Sequence, residues 1–491
     1  LTSRPRLNRA ALGALPPGVE RPGYALGLLT TGIVHLGLGA FHRAHQALYT
    51  DMVMRPEEPV WGISGVSLRS EETARALAPQ DGIYTILERG AETRCRVIGC
   101  LTGTIGPTGL TELARYRLAD PAVRIVSLTV TEKAYCRDPD GGGLDRAHPA
   151  IEADLRAPRT PRSAIGIIVE GLRRRLEDGA PPLAVVSCDN LTANGRELRR
   201  IVLDYAAALS PGLAARIDAV TRFPCTMVDR IVPATTDADR DTVAELTGQF
   251  DAWPVVGEPF RQWVIEDDFP SGRPAWEEAG AELVADVRPF EDMKLRLLNG
   301  AHTAIACIGL LCGLQTVSEA MACDVVAGFA DRLMQDAAET LDPAAALDWR
   351  GYRTALLERF RNPGLRHLTA QIASDTSQKL SARILPVVAA RLAAGRPIDR
   401  HAFVMAAWIR LLEGSDEGGR RLEISDPGAG PLRTAAGAPA AVAAADILGR
   451  RNLFGETGGD RRVVAAVSAA LEDIRCCGVL AAAERCGRSV P

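Results

Sequence analysis

Four side chains that can exchange protons or direct hydrogen bonds stand close together in Glu291-Asp292-Met293-Lys294-Leu295-Arg296-Leu297-Leu298-Asn299-Gly300-Ala301-His302. An amine and a carboxylate can pass a proton between them. An amide can hold a developing oxyanion without offering a competing acidic proton, and an imidazole can bond a hydroxyl. Arg288-Pro289-Phe290 and the acids after it read as a helix start. At about 100° per residue, Glu291, Lys294, Asn299 and His302 share one arc of about 140°. Leu295 and Leu298 fall in the same arc, and the apolar run Ala304 to Leu314 follows, so the helix enters a core. Polar groups on such a face cost free energy unless they are paired or used. By spacing alone, a half-solvated helix face accounts for the pattern equally well.

The elements around this helix raise its interest. Short apolar runs read as buried strands: Ile33 to Leu36, Trp61 to Leu68, Val123 to Val130 and Leu183 to Ser187. Helical patterns such as Pro161 to Leu176 and Glu197 to Ala208 lie between them, which implies a parallel sheet with helices on both faces. Near residue 285 the character changes, and helices are expected almost throughout: 290–314, 324–341, 345–360, 378–394, 398–413, 438–449 and 461–481. The expected fold is therefore a Rossmann-type α/β domain with an N-terminal arm over residues 1–285, then an all-α domain over residues 286–491. Ligand sites favour such domain junctions, and the Lys294 helix lies just past this one.

Bulk properties narrow the function. A chain of 491 residues exceeds one hydrophobic core. Its formal charge of -4 gives no electrostatic case for nucleic acid. The longest apolar stretch is too short to span a bilayer, so no membrane partner is expected. No targeting segment is read, and a cytoplasmic location is expected. Eleven cysteines without a Cys-x-x-Cys pair form neither a disulfide framework nor a zinc site, so no metal is expected.

Gly37-x-Gly39-x-x-His42 follows the first strand and opens a helix read over Phe41 to Val53. Glycines at these two positions let backbone N–H groups approach a pyrophosphate. The third fingerprint position holds His42, so the match is partial, and a tight strand-to-helix turn without a ligand is the alternative. An acid after the second strand would take the adenosine ribose hydroxyls. Glu71 or Glu72 stands there and would repel a 2′-phosphate, which favours NAD over NADP, whereas the nearby Arg69 would act the other way. Glu132 and Asn190 each follow a strand, where ligands of parallel sheets bind. With a nicotinamide over these strand ends, ketone reduction needs a proton donor and oxyanion stabilisers. None of the seven tyrosines has a lysine four residues on, which leaves Lys294 as acid/base. Asn190 and Asn299 are then the oxyanion donors, His302 the hydroxyl partner and Glu291 the proton relay. A catalytically silent dinucleotide sensor would keep the glycine turn and lose this set, whereas here both are present.

The chain resembles the polyol-specific long-chain dehydrogenases, the mannitol dehydrogenase family. The resemblance rests on Gly37-Leu38-Gly39-Ala40-Phe41-His42-Arg43-Ala44-His45-Gln46 and on Leu128-Thr129-Val130-Thr131-Glu132-Lys133-Ala134-Tyr135, where the family usually has glycine at Ala134. Ser187-Cys188-Asp189-Asn190, Met227 to Pro233, Gly257-Glu258-Pro259-Phe260 and Lys294 through His302 extend it over nearly the whole chain. It implies a Rossmann domain with a helical domain, NAD(P) without metal, and a monomer or weak homo-oligomer. It carries the catalytic lysine to Lys294, the oxyanion asparagines to Asn190 and Asn299, the substrate histidine to His302 and the relay glutamate to Glu291. Gly37, Gly39, Ala40 and Phe41 then meet the cofactor, and Asp229, Glu132 and Lys379 match further active-site positions. Phe223 to Ala234, Lys294 to Gly300 and Gln371 to Leu380 look most like the fructuronate reductase (mannonate oxidoreductase) branch. That implies D-mannonate and D-fructuronate as the substrate pair, with mannitol 2-dehydrogenase or another polyol dehydrogenase as the alternative. The mannitol branch usually has arginine where Gln371 stands. Its loss also removes a carboxylate clamp, which Lys379, Arg383 or Arg366 would replace. Thr376, usually glycine, and Ser381, usually proline, are further departures.

Overall fold

Strands buried on both faces set the architecture of the first unit. In the computed structural model, which describes residues 4–138, 142–423, 425–426 and 429–488, the chain divides into units Leu1–Arg288 and Pro289–Pro491. The strands of the first unit are β1 (Thr31–Leu36), β2 (Gly62–Val66), β3 (Tyr84–Arg89), β4 (Thr93–Ile98), β5 (Leu101–Ile105), β6 (Ile125–Leu128), β7 (Ala184–Ser187), β8 (Thr226–Asp229), β9 (Val255–Gly257), β10 (Gln262–Glu266) and β11 (Glu282–Val284). The main sheet has the order β5-β2-β1-β6-β7, and all its pairings are parallel. Successive residues feed opposite faces. Val34, Val126 and Val185 join one core with Ile165, Ile168, Leu198 and Ile201. Ile33, Ile125 and Ala184 join the other with Leu48, Tyr49, Trp263 and Trp276. A parallel sheet covered on both faces needs such continuous apolar strands.

Three features depart from the sequence expectation. β5 (LTGTI) was not foreseen, because as an edge strand it is half-buried along most of its length and lacks an apolar run. Two further three-stranded sheets, β4-β3-β9 and β11-β10-β8, flank the main one. The helix expected over Phe41 to Val53 is two pieces, Ala40–Ala44 and Gln46–Met52, broken at His45 (φ −124°, ψ −93°). His45 itself is buried, with Nε2 2.9 Å from the carbonyl of Gln262, which is a structural role. Arg230 is also structural: it pairs with Glu88 at 2.5 Å and donates to the carbonyls of Ala44 and Glu258.

The second unit is helical. Its centre is Gly300–Leu311, buried on nearly every side and packed against Asp324–Ala338 and Asp399–Leu412. The stretch read as one helix over 378–394 breaks at Ile384, and Pro386 opens the second piece. Gly478 (φ +85°) divides 461–481 in the same way. No helix among the described residues is long and apolar enough to cross a membrane.

Buried imidazoles tie this fold to pH. Burial pushes both His35 and His401 down to about 3, from about 6.5 in an unfolded chain. Below pH 6.5 the unfolded chain binds protons that the folded one refuses, so stability falls as pH drops from 6.5 toward 3. Each histidine is worth a loss of about 2 kcal/mol between pH 7 and pH 5. Asp51, raised to about 6 by burial, takes its proton more readily when folded and returns about 1 kcal/mol over the same interval. Thermal melts should show Tm falling over this range. A flat or rising profile would contradict it.

Candidate active site

The carboxyl edge of the parallel sheet gathers the residues expected to hold a dinucleotide. β1 and β6 lie side by side although β2 and β5 lie on the other side of β1. This reversal of strand order is where such sheets bind ligands. Gly37 follows β1 with φ +99°, and a Cβ there would sit 2.1 Å from the carbonyl oxygen of Thr129. Only glycine permits this approach. Gly39 is the N-cap of Ala40–Ala44 and makes no side-chain cap bond. A Cβ on Gly39 would meet only the Gly37 carbonyl, at 3.8 Å, so the space at this glycine is open where the helix starts. His42 fills the third fingerprint position by stacking on His35 at 3.4 Å between ring centroids. The His35 ring is held by Ser127 Oγ and Thr129 Oγ1, each at 2.8 Å. This stack locks helix to strand, the task the missing glycine performs elsewhere.

Of the residues after β2, Arg69 and Glu72 are exposed and Glu71 is half-buried. Glu71 Oε1 accepts from both the N–H and the hydroxyl of Thr108 at 3.0 Å. Its carboxylate borders a cavity of about 480 Å³ with Arg75, Gly106 and Arg117. Glu71 is thus the acid placed at a cavity beside β2 and β5, and Glu72 does not line it. Glu132 and Asn190 lie just beyond β6 and β7, both exposed in this unit. Between them the structure shows a clamp the sequence reading missed. Asp189 accepts from the N–H groups of Val130 and Thr131 at 3.1 and 2.9 Å and from the Tyr135 hydroxyl at 2.8 Å. It holds β-branched Thr131 at φ +71°, a strain of about 1–3 kcal/mol of the kind stored at functional sites. Asp189 had the signal of preceding Asn190, but a backbone clamp leaves no sequence spacing. Asp229 is buried at the end of β8, opposite Gln262 in the flanking sheet rather than in the parallel one.

The acid/base candidates of the second unit share one helical stretch, with a geometry that differs from expectation. Arg288–Met293 is α-helix, Lys294–Asn299 is a π turn, and Gly300–Leu311 is α-helix again. The N–H of Gly300 reaches the carbonyl of Leu295, five residues back. Five residues of α-helix would set Lys294 and Asn299 about 140° apart. The wider π turn brings residue i+5 nearer to residue i, and such turns recur at functional sites. Glu291, Lys294, Asn299 and His302 are between 7% and 9% exposed, so the half-solvated face does not describe them.

Aromatic rings and cations surround His302. Its ring lies 4.6 Å from Phe360 and 5.1 Å from His367, edge-on to the latter. Burial, with His367, Arg359 and Arg383 adding positive potential, holds the His302 imidazole well below its ordinary range, so the ring is neutral at working pH. Its Nε2 is buried without a hydrogen-bond partner among the described residues. That arrangement is sound only if a ligand or water supplies one. Phe360 and His367 were not foreseen, because they lie some sixty residues from His302 with no periodicity linking them. Lys379 gives two of its three N–H groups to the carbonyls of Ile372 and Ser374, at 3.2 and 2.5 Å. Gln371 is exposed. Thr376, absorbed at a helix start, bonds the Ala373 carbonyl at 2.8 Å, and Ser381 bonds that of Gln378 at 2.8 Å. Among the described residues no group of three or more His, Cys, Asp or Glu side chains has metal-binding geometry.

Known proteins share both units. Residues 31–278 match the mannitol dehydrogenase Rossmann domain, and residues 286–475 match the mannitol dehydrogenase C-terminal domain. The D-mannonate oxidoreductase of Escherichia coli (strain K12) is 45% identical over 417 residues, 83% of this chain and 85% of that protein. The mannitol 2-dehydrogenase of Aspergillus oryzae is 37% identical over 460 residues, covering 91% of each. Among solved structures, Pseudomonas fluorescens mannitol 2-dehydrogenase in ternary complex with NAD and D-mannitol has a TM-score of 0.87 at 37% identity, covering 99% of this chain and 100% of that one. D-sorbitol dehydrogenase in substrate-free form has a TM-score of 0.91 at 34% identity, covering 97% and 99%. With both of its units matched and its relatives covered along most of their length, this chain belongs to the mannitol dehydrogenase family of oxidoreductases.

Proposed function

We propose that this protein is an NAD-dependent, metal-independent oxidoreductase that interconverts a secondary alcohol and a ketone on an open-chain sugar acid, with D-mannonate and D-fructuronate as the substrate pair. The observation that carries the reading is the buried Lys294–Asn299–His302 set on the α–π–α helix. Gly37, Gly39 and the backbone of Ala40 and Phe41 take the cofactor pyrophosphate, and Glu71 takes the adenosine ribose. The open space at Gly39 and the orphan donors behind it fit that group. When bound, NAD supplies or accepts the hydride. Lys294 gives its proton to the ketone oxygen on reduction and takes it from the hydroxyl on oxidation. Asn190 and Asn299 donate N–H groups to the oxygen as charge develops. Neutral His302 orients a neighbouring hydroxyl through Nε2, and Glu291, one turn before Lys294, passes the proton onward. Asp229, Lys379 and Gln371 complete the substrate surroundings.

For the sugar acid, the support is the higher identity to a D-mannonate oxidoreductase than to the mannitol 2-dehydrogenases, together with Gln371 where the mannitol branch has arginine. A panel of hexuronates and ketohexoses assayed with NADH and NADPH tests it. The kcat/KM for D-fructuronate with NADH should exceed that for D-fructose by at least about tenfold, the worth of one well-made charge-assisted contact. A preference for fructose would make mannitol 2-dehydrogenase the better reading.

A further inference from the structure

Arg383 ends the helix Thr376–Arg383, which packs against the π turn bearing Lys294 and Asn299. Its own carbonyl lies beside Gly300. Its guanidinium donates through Nη1 to Thr303 Oγ1 at 3.1 Å. That hydroxyl commits its proton to the carbonyl of Asn299, at 2.9 Å, and so is oriented to accept from Arg383. Thr303 directly follows His302 on this helix, and the Arg383 charge is close enough to act on the His302 ring.

What Arg383 lacks is a counterion. Among the described residues its hydrogen bond goes to a hydroxyl, and no carboxylate pairs with it. Buried Arg391, Arg173 and Arg230 meet carboxylates, and buried Arg43 and Arg175, which pair with no carboxylate, donate to main-chain carbonyls instead; the Arg383 guanidinium has neither among the described residues. Arg383 is half-buried, and a guanidinium partly removed from water without an anion is a ready partner for a ligand carboxylate. Its surroundings also hold unsatisfied ring nitrogens. Buried His302 Nε2 and half-buried His367 Nδ1 both lack partners among the described residues. Lys379, named from sequence for the same task, spends two of its three N–H groups on main-chain carbonyls and has one left for a ligand.

We infer that Arg383, oriented by Thr303, receives the carboxylate of a sugar-acid substrate and is the residue by which this site selects acids over uncharged polyols and ketoses. The inference rests on the oxidoreductase reading and names the substrate class of that same site. Arg383 touches substrate but exchanges no proton with it.

Steady-state reduction of D-fructuronate and of D-fructose, at saturating NADH, tests it in wild type, Arg383→Met and Arg383→Lys. Arg383→Met should lose at least about 30-fold more kcat/KM on the acid than on the ketose, because a charge-assisted pair is lost only with the acid. Arg383→Lys keeps the charge without the fork and should recover at least about fivefold of the acid activity lost in Arg383→Met. NADH titration by fluorescence and a thermal melt establish that each variant is folded. Equal losses on both substrates in a folded variant overturn the inference and leave the oxidoreductase reading standing. Should Arg383→Met fail to fold, Arg383→Lys decides alone: it should lose at least about threefold more on the acid than on the ketose, and equal losses overturn the inference. Wild-type enzyme that reduces fructose but not fructuronate would instead overturn the sugar-acid reading and this inference with it.

Discussion

Lys294→Ala is expected to lower kcat by at least about 10²-fold while NADH affinity stays within about twofold, because the variant loses proton transfer in the transition state and nothing in the dinucleotide site. Lys294 is 9% exposed, on a π turn whose wider winding brings Asn299 toward it. Alanine suits a helix and removes a buried polar group, so the melt should not fall sharply. Single-turnover hydride transfer separates chemistry from product release. Near-normal turnover would remove Lys294 as acid/base, and equal loss of NADH binding would mean that the change had disturbed more than one proton.

The second large effect falls on the other unit. Gly37→Ala should lower Tm by roughly 5–15 °C, from about 2–5 kcal/mol of strain and overpacking, and weaken NADH binding at least about tenfold. Two independent costs meet at this residue. The backbone sits at φ +99°, and the added Cβ would press on the Thr129 carbonyl at 2.1 Å, which forces β1 and β6 apart at the point of strand-order reversal. Gly39→Ala is the control, because its Cβ meets nothing closer than 3.8 Å; it should melt close to wild type. Equal melts for Gly37→Ala and wild type would show that the turn is not constrained as described.

Much of this protein was legible before any coordinates. Apolar runs named β1, β2, β6 and β7, because strands buried on both faces must be continuously apolar. The glycine pair named the turn after β1, and the helical domain followed from the loss of β-branched runs past residue 285. What resisted reading shares a physical cause. β5 is an edge strand whose pairing, not its composition, makes it a strand. The break at His45 depends on a carbonyl contact with Gln262, more than two hundred residues away. A π turn comes from one displaced hydrogen bond, and no residue type announces it.

The site divides along the same line. Sequence alone determined which groups are present: the lysine, the two asparagines, the histidine and the glycines. That follows from chemistry, since few residue types can move a proton or admit a phosphate. Only the tertiary structure decided how they are used. It swung Lys294 and Asn299 toward one side of their helix, let Asp189 clamp the loop carrying Glu132, and tied Lys379 to two main-chain carbonyls. It also left Arg383 beside His302 without an acid. Such facts depend on which distant segments a group meets after packing, and burial gives each meeting its energy by removing the water that would otherwise satisfy any partner.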